Sequence, residues 1–231
     1  MTTPISSRLL ACCDYINPGD RIADIGCDHG YLGIYLLTQG IASKVYASDI
    51  NPQPLASAVR NAEKYQVQTD ISFYLSDGAK NIPRDFDTLI CAGMGGDTIV
   101  SILEGSPWIL AGSYRLVLQC QSKTYMLRKF LSEKGWSISR EKILRDGKFL
   151  YSVMEVTHRS SAELTPGQWY FSPALLSNPS KETAEYFAQI TGGLKRAIDG
   201  RKENADPIHI AALDELNALK DTTNWLKGDS L

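Results

Sequence analysis

The chain has 231 residues, 43% hydrophobic and 22% charged, with 24 basic and 26 acidic side chains for a formal net charge of −2. That length holds one large domain, or one domain and an appendage, around a buried core. It excludes disulfide-stapled mini-proteins, and the composition excludes disordered, collagenous and rod-like coiled-coil chains.

No stretch approaches the roughly 20 unbroken apolar residues of a spanning helix. The start, MTTPISSRLL, lacks the basic-then-apolar order of a signal peptide, so a cytoplasmic protein without membrane contact is expected. Cys12, Cys13, Cys27, Cys91 and Cys120 are odd in number and show no C-x-x-C spacing, which predicts reduced apolar fillers. His29, His158 and His209 have no ligand-spaced companions, so no metal is expected. A near-neutral chain has no overall pull toward nucleic acid, and a polyanion partner needs a local basic face.

Up to residue 157, short apolar runs alternate with amphipathic ones, the pattern of a parallel sheet with crossover helices. Strands are predicted at 21–26, 44–50, 71–77, 88–93, 115–120, 136–144 and 149–156. Helices are predicted from Tyr31 to Gly40, from the Asn51-Pro52 cap to Tyr65, and from Met126 to Lys134. Asp146-Gly147 between the last two strands is a hairpin signal, so an antiparallel edge pair is expected.

Near residue 160 a polar Ser/Thr/Pro/Gly-rich segment predicts a boundary, with domains at 1–157 and 165–231. Two helical patterns follow, opened by Asn178-Pro179 and Asp206-Pro207. Their apolar stripes are Phe187, Ile190, Leu194 and Ile198, then Ile208, Ala212, Leu216, Leu219 and Leu226. A linker of about five residues predicts an antiparallel helical hairpin.

The most informative string is ADIGCDHGY (23–31), where a strand runs into D-x-G-x-x-x-G and then a helix. Glycines there let the backbone turn and approach a ligand at an electropositive helix start. The spacing is not the dinucleotide G-x-G-x-x-G. It resembles the first motif of class I S-adenosylmethionine-dependent methyltransferases. Asp49 closes the second run near the offset of a ribose-binding acid, and Asp77-Gly78 closes the third. Acids at the carboxyl ends of successive strands converge on the crevice where open α/β sheets bind ligands. AGMGGD (92–97) ends the fourth run, where such enzymes address the acceptor atom. Cys91 and Cys120 sit on strand-like runs without a nucleophile motif, so no covalent step is expected from them.

ISSRL (5–9), ADIGCDHGYL (23–32), ICAGMGG (90–96), ILE (102–104), LVLQ (116–119) and DGKF (146–149) together resemble the bacterial TrmK family. Those proteins are tRNA adenine-N1 methyltransferases acting on adenine 22. Cys27, Gly30, Gly33, Asp49 and Cys120-Gln121 depart from that family's usual residues. The resemblance implies a Rossmann-like α/β methyltransferase domain plus the helical hairpin, with S-adenosyl-L-methionine as cofactor and tRNA as partner; a monomer is expected. It places the cofactor against Asp24, Gly26, Cys27, Asp28, Gly30, Tyr31, Asp49, Ile50, Asp77, Gly78, Ala92, Gly93 and Met94. Asp28 is the catalytic candidate, as a proton acceptor or stabiliser of a cationic product, with cofactor ammonium binding as its rival role.

For RNA, residues 123–148 carry eight basic against three acidic side chains. This predicts a phosphate-contacting face with Lys123, Arg128, Lys129 and Arg145, joined by Arg8 and by Lys195 and Arg196 of the tail. The competing reading of that run is a solvated surface. The competing functions are methylation of another RNA site or a small molecule, and an inactive cofactor-binding module that engages RNA or a protein partner.

Overall fold

A computed structural model describes residues 3–158 and 162–227. Helix α1 (Ser7–Cys13) precedes β1 (Asp20–Ile25), α2 (Tyr31–Thr38), β2 (Ala42–Asp49), α3 (Pro52–Lys64) and β3 (Ile71–Leu75). Then come β4 (Thr88–Gly95), α4 (Gly96–Glu104), α5 (Pro107–Ala111), β5 (Arg115–Ser122) and α6 (Thr124–Glu133). Strands β6 (Trp136–Asp146) and β7 (Phe149–His158) lead to α7 (Pro166–Tyr170), α8 (Pro173–Leu176), α9 (Lys181–Arg201) and α10 (Pro207–Thr222).

The seven strands form one sheet in the order β3-β2-β1-β4-β5-β7-β6. It is parallel through β5 and antiparallel where β7 meets β5 and β6. All seven expected strands are present, and Gly147, at φ +59°, turns the edge hairpin. Side chains alternate between two cores, as the twofold strand period requires. Leu89, Cys91, Leu116 and Leu118 face one core, while Ile90 and Val117 face the one that α1 to α3 cover. The five cysteines are free thiols, and burial raises the Cys91 thiol so far that it stays protonated. Among the described residues, no helix is long and apolar enough to cross a membrane, and no His/Cys/Asp/Glu group has the makings of a metal site.

Several boundaries move. Strand β3 stops at Leu75, leaving Ser76, Asp77 and Gly78 in the loop beyond it. Helix α9 starts at Lys181, where the Ser180 hydroxyl accepts from the Thr183 N–H at 3.0 Å; Asn178 instead closes the preceding turn on the Leu175 carbonyl at 3.2 Å. Ile208 is 42% exposed, so the buried stripe of α10 begins at Ala212. That helix is held at its middle, where Glu215 accepts from the Gly167 N–H at 3.0 Å. The expected boundary near residue 160 lies outside the described residues. Helices α9 and α10 share a third apolar cluster with Phe171, Leu175 and Ile143 of β6.

Arg128 is a correction. It is buried, not on a surface that meets phosphate. Its Nη2 lies 2.7 Å from Glu141 Oε1, and its Nη1 donates to the carbonyls of Trp169 at 3.1 Å and Tyr170 at 2.6 Å. Glu141 also accepts from the Ser152 and Ser172 hydroxyls. Burial opposes the guanidinium charge, but Glu141 and Tyr186 outweigh it and raise the group. The pair therefore ties α6, β6 and the α7–α8 segment together. Arg128→Ala leaves Glu141 buried without its counter-charge, and a loss of roughly 3–5 kcal/mol in denaturant unfolding is expected. Arg128→Met with Glu141→Leu is expected to lose much less.

Candidate active site

The site is built by the turn from β1 into α2. Gly26 and Cys27 both donate their N–H to the Ser48 carbonyl at 2.8 Å, and the loop folds back through φ +71° at Gly26 and +51° at Asp28. The Asp28 N–H donates to Asp49 Oδ2 at 3.0 Å, and the Asn51 N–H donates to Asp49 Oδ1 at 2.8 Å. One carboxylate thus fixes the loops after β1 and β2. Each of its oxygens keeps a second lone pair for a ligand.

These loops surround a cavity of about 1020 Å³. Asp24, Gly26, Cys27, Asp28 and Tyr31 line it from β1 and α2, Asp49 and Ile50 from β2, Asp77 and Gly78 after β3, and Ala92, Gly93 and Met94 from β4. Arg8 of α1 lines it as well. Gly30 does not: it is the left-handed residue at the start of α2, where a Cβ would stand 2.9 Å from that of Ala58. Its value is backbone shape and helix packing rather than ligand contact.

Charge in the cavity is uneven. Asp24 is buried and its Oδ2 has no partner. Burial pushes its carboxyl up to about 7; the Gly33 N–H opposes this and the Asp49 charge adds to it. A buried acid with an orphaned oxygen calls for a cationic donor, such as an ammonium group. Asp28, by contrast, has a side chain 69% exposed, with His29 Nε2 at 3.6 Å from Oδ1. Asp77 is ion-paired with Lys80.

The β4 wall is shaped by glycine. Gly93 sits at φ +78° and donates its N–H to the Oε1 of buried Gln119 at 2.8 Å. A Cβ at Gly26 would stand 2.1 Å from Met94 Cε. Gly26→Ala therefore displaces the end of Met94, which lines the cavity, and places alanine in the left-handed region. The expected outcome is a folded protein whose cofactor Kd, by calorimetry, is weaker by about tenfold or more, equivalent to ~1.4 kcal/mol.

Asp97 and Gln119 were missed by sequence reasoning. Asp97 lines the cavity from the first turn of α4 and pairs with Lys123, whose hydrogen bond holds the Asp97 carboxyl below its usual range. An acid in the first turn of the helix after β4 was the available signal. Gln119 offered none, because its role is a contact with a backbone N–H 26 residues away.

Most of the basic run is matched by acids, some within the run and some from other elements. Lys129 lies 3.8 Å from Glu133 and 4.8 Å from the Trp169 ring centroid, and Arg140 pairs with Glu155 at 2.8 Å. Lys142 pairs with Asp14, and Arg145 with Glu185 of α9. Arg8 is 3.9 Å from Asp146, and its Nε is buried without a partner. Among the described residues, Lys195 and Arg196 have no ion-pair partner and are exposed.

Residues 5–154 match the family described as a methyltransferase domain. A tRNA (adenine(22)-N(1))-methyltransferase of Bacillus subtilis (strain 168) is 35% identical over 151 residues, 65% of this chain and 63% of that protein. The crystal structure of the B. subtilis m1A22 tRNA methyltransferase TrmK is similar with a TM-score of 0.80 at 28% identity, covering 98% of this chain and 99% of that one. The chain belongs to the TrmK family. Streptococcus pneumoniae Sp1610, solved in complex with S-adenosyl-L-methionine, matches this TrmK-family chain with a TM-score of 0.81 at 28% identity, over 92% of this chain and 99% of its own. The sequence match with the B. subtilis relative spans less than two thirds of that protein. The structural matches span nearly all of theirs, helical tail included.

Proposed function

We propose that this protein transfers a methyl group from S-adenosyl-L-methionine to N1 of adenine 22 in tRNA. The observation that carries the reading is the buried, unpartnered Asp24 oxygen in a cavity whose other walls carry Asp28, Asp49 and Asp77. Asp24 receives the amino-acid ammonium, Asp49 the ribose hydroxyls, and the Asp77-Gly78 loop the cofactor's adenine. Bound there, S-adenosyl-L-methionine supplies a methyl group on a sulfonium, to be transferred to the target nitrogen.

The remaining work is positioning. Ala92, Gly93 and Met94, with no bulky polar side chain among them, leave room for a flat ring flipped out of the tRNA. Methylated at N1, that ring is cationic with both N6 protons still in place, and a carboxylate beside it stabilises the charge or accepts one of those protons. Asp28 is the group for this step: it is exposed at the cavity mouth, and the ammonium role belongs to the deeper Asp24. Arg8 on the rim takes a phosphate, since its Nε lacks a partner and its ion pair is loose. Residues 1–157 form the catalytic unit, and the α9–α10 hairpin within 165–231 presents Lys195 and Arg196 to the tRNA. The protein acts as a cytoplasmic monomer.

The test is transfer of labelled methyl to bulk bacterial tRNA, with the product nucleoside identified. Label in 1-methyladenosine at position 22 is expected. Cofactor binding with no label on tRNA would overturn the substrate and leave the cofactor site standing.

A further inference from the structure

Beside the methyl-transfer cavity lies a second one of about 440 Å³, walled by the segment from Cys120 to Tyr125, by α9 and by His209 of α10. We propose that it receives a nucleobase of the tRNA other than the one methylated. The inference rests on the reading of this chain as a tRNA methyltransferase and deepens it.

The walls are those of a base-stacking site. Tyr125 and Tyr170 lie parallel, with ring centroids 4.9 Å apart and planes 8° apart, and the His209 ring meets Tyr170 edge-on at 6.2 Å. Tyr125, at the end of the stack, is 38% exposed, within reach of one more flat ring. Base-on-aromatic stacking tolerates any base, because every base has a π-face. The groove is not purely apolar. His209 Nδ1 is buried with no hydrogen-bond partner, and Gln121 and Gln189 contribute amides. Such groups match the edge donors and acceptors of a base and have no counterpart in a purely apolar ligand.

Charge and position favour RNA over a peptide or a second copy of the chain. Lys123 lines the groove. Arg196 lies beside Gly193, which lines the groove, and its neighbour Gly192, with Nη1 3.4 Å from where a Cβ on Gly192 would stand and Nη2 4.0 Å from that of Gly193. Arg196 has no ion-pair partner among the described residues and is exposed, so an unpaired cation stands next to the groove wall at Gly193, within reach of a phosphate. The groove also adjoins the methyl-transfer site. Gln121 lines the groove, and its Nε2 lies 3.6 Å from the Cβ position of Gly93, which lines the cavity. One side chain separates the two, so a strand that delivers its adenine to one cavity passes the mouth of the other.

The test compares the full-length wild type with Tyr125→Ala and Tyr125→Phe. Binding of labelled tRNA is followed by anisotropy, and KM for tRNA and for cofactor by methyl transfer. Tyr125→Ala is expected to raise Kd and KM for tRNA by roughly 5- to 150-fold, the range one stacked base supports, with KM for cofactor unchanged. Tyr125→Phe retains the ring and is expected to bind as wild type. Unchanged tRNA binding by Tyr125→Ala overturns the proposal, as does a loss shared by Tyr125→Phe or an effect confined to oligomeric state in sedimentation. A wild type that binds tRNA without methylating it refutes the reaction alone, and the binding arm still decides the groove. A wild type that binds no tRNA refutes both.

Discussion

Asp28→Ala is expected to bind S-adenosyl-L-methionine as wild type does and to transfer methyl groups to tRNA at least ~100-fold more slowly, the lower end of what a positioned proton acceptor contributes. The two halves of that outcome come from different parts of the residue. The backbone of Asp28 belongs to the cofactor loop, through its N–H to Asp49 at 3.0 Å, and alanine retains that bond. The carboxylate is largely exposed and, among the described residues, has His29 beside it at 3.6 Å. Alanine at φ +51° costs about 1–2 kcal/mol in the left-handed region, so Asp28→Asn is the cleaner companion, because asparagine tolerates that conformation. Both variants should lose the chemical step, measured in single turnover with calorimetric control of cofactor affinity. Loss of cofactor affinity with a normal rate at saturation would return Asp28 to the rival role of ammonium ligand.

The strand pattern was legible because both faces of a parallel sheet are covered, and runs such as 89–92 and 116–118 are then apolar without interruption. The acids at the strand ends were legible because a doubly wound sheet brings its carboxyl edges together whatever the intervening helices are. The basic face was not. Arg128, Lys142 and Arg145 look alike in a charge count, yet each meets an acid on another element: Glu141 on β6 within the same run, Asp14 after α1 and Glu185 on α9. Pairings of that kind depend on which elements pack together, and a charge count does not reveal them. The same holds for Gly30. Its spacing marks it as part of the loop, but only the proximity of Ala58 reveals that its lack of a Cβ serves helix packing.

Asp24→Asn is expected to strengthen the free fold and to weaken cofactor binding by on the order of 100-fold at pH 8, since removing one partner of a buried charged pair costs roughly 2–5 kcal/mol. Both effects follow from a carboxyl held near 7 in the free protein, against the usual 3.8. Below about pH 4 the group is neutral in folded and unfolded chains alike and makes no difference. From there to pH 7 the unfolded chain gives up its proton while the folded chain keeps it, so stability falls as pH rises. The full penalty, about 4 kcal/mol at ~1.36 kcal/mol per pKa unit, is reached above pH 7. The asparagine variant escapes it, so its melting temperature should exceed that of wild type at pH 8 and converge with it at pH 4. An ammonium group bound against the orphaned oxygen reverses the preference and draws the carboxylate into its charged form. Cofactor affinity of the wild type should then rise by up to ~10-fold per pH unit between pH 5 and 7, with release of a proton, while Asp24→Asn stays flat. Calorimetry in two buffers of different ionisation enthalpy reads that proton directly. Parallel pH profiles for the two proteins would remove Asp24 from the ammonium site and leave its burial without a ligand to account for it.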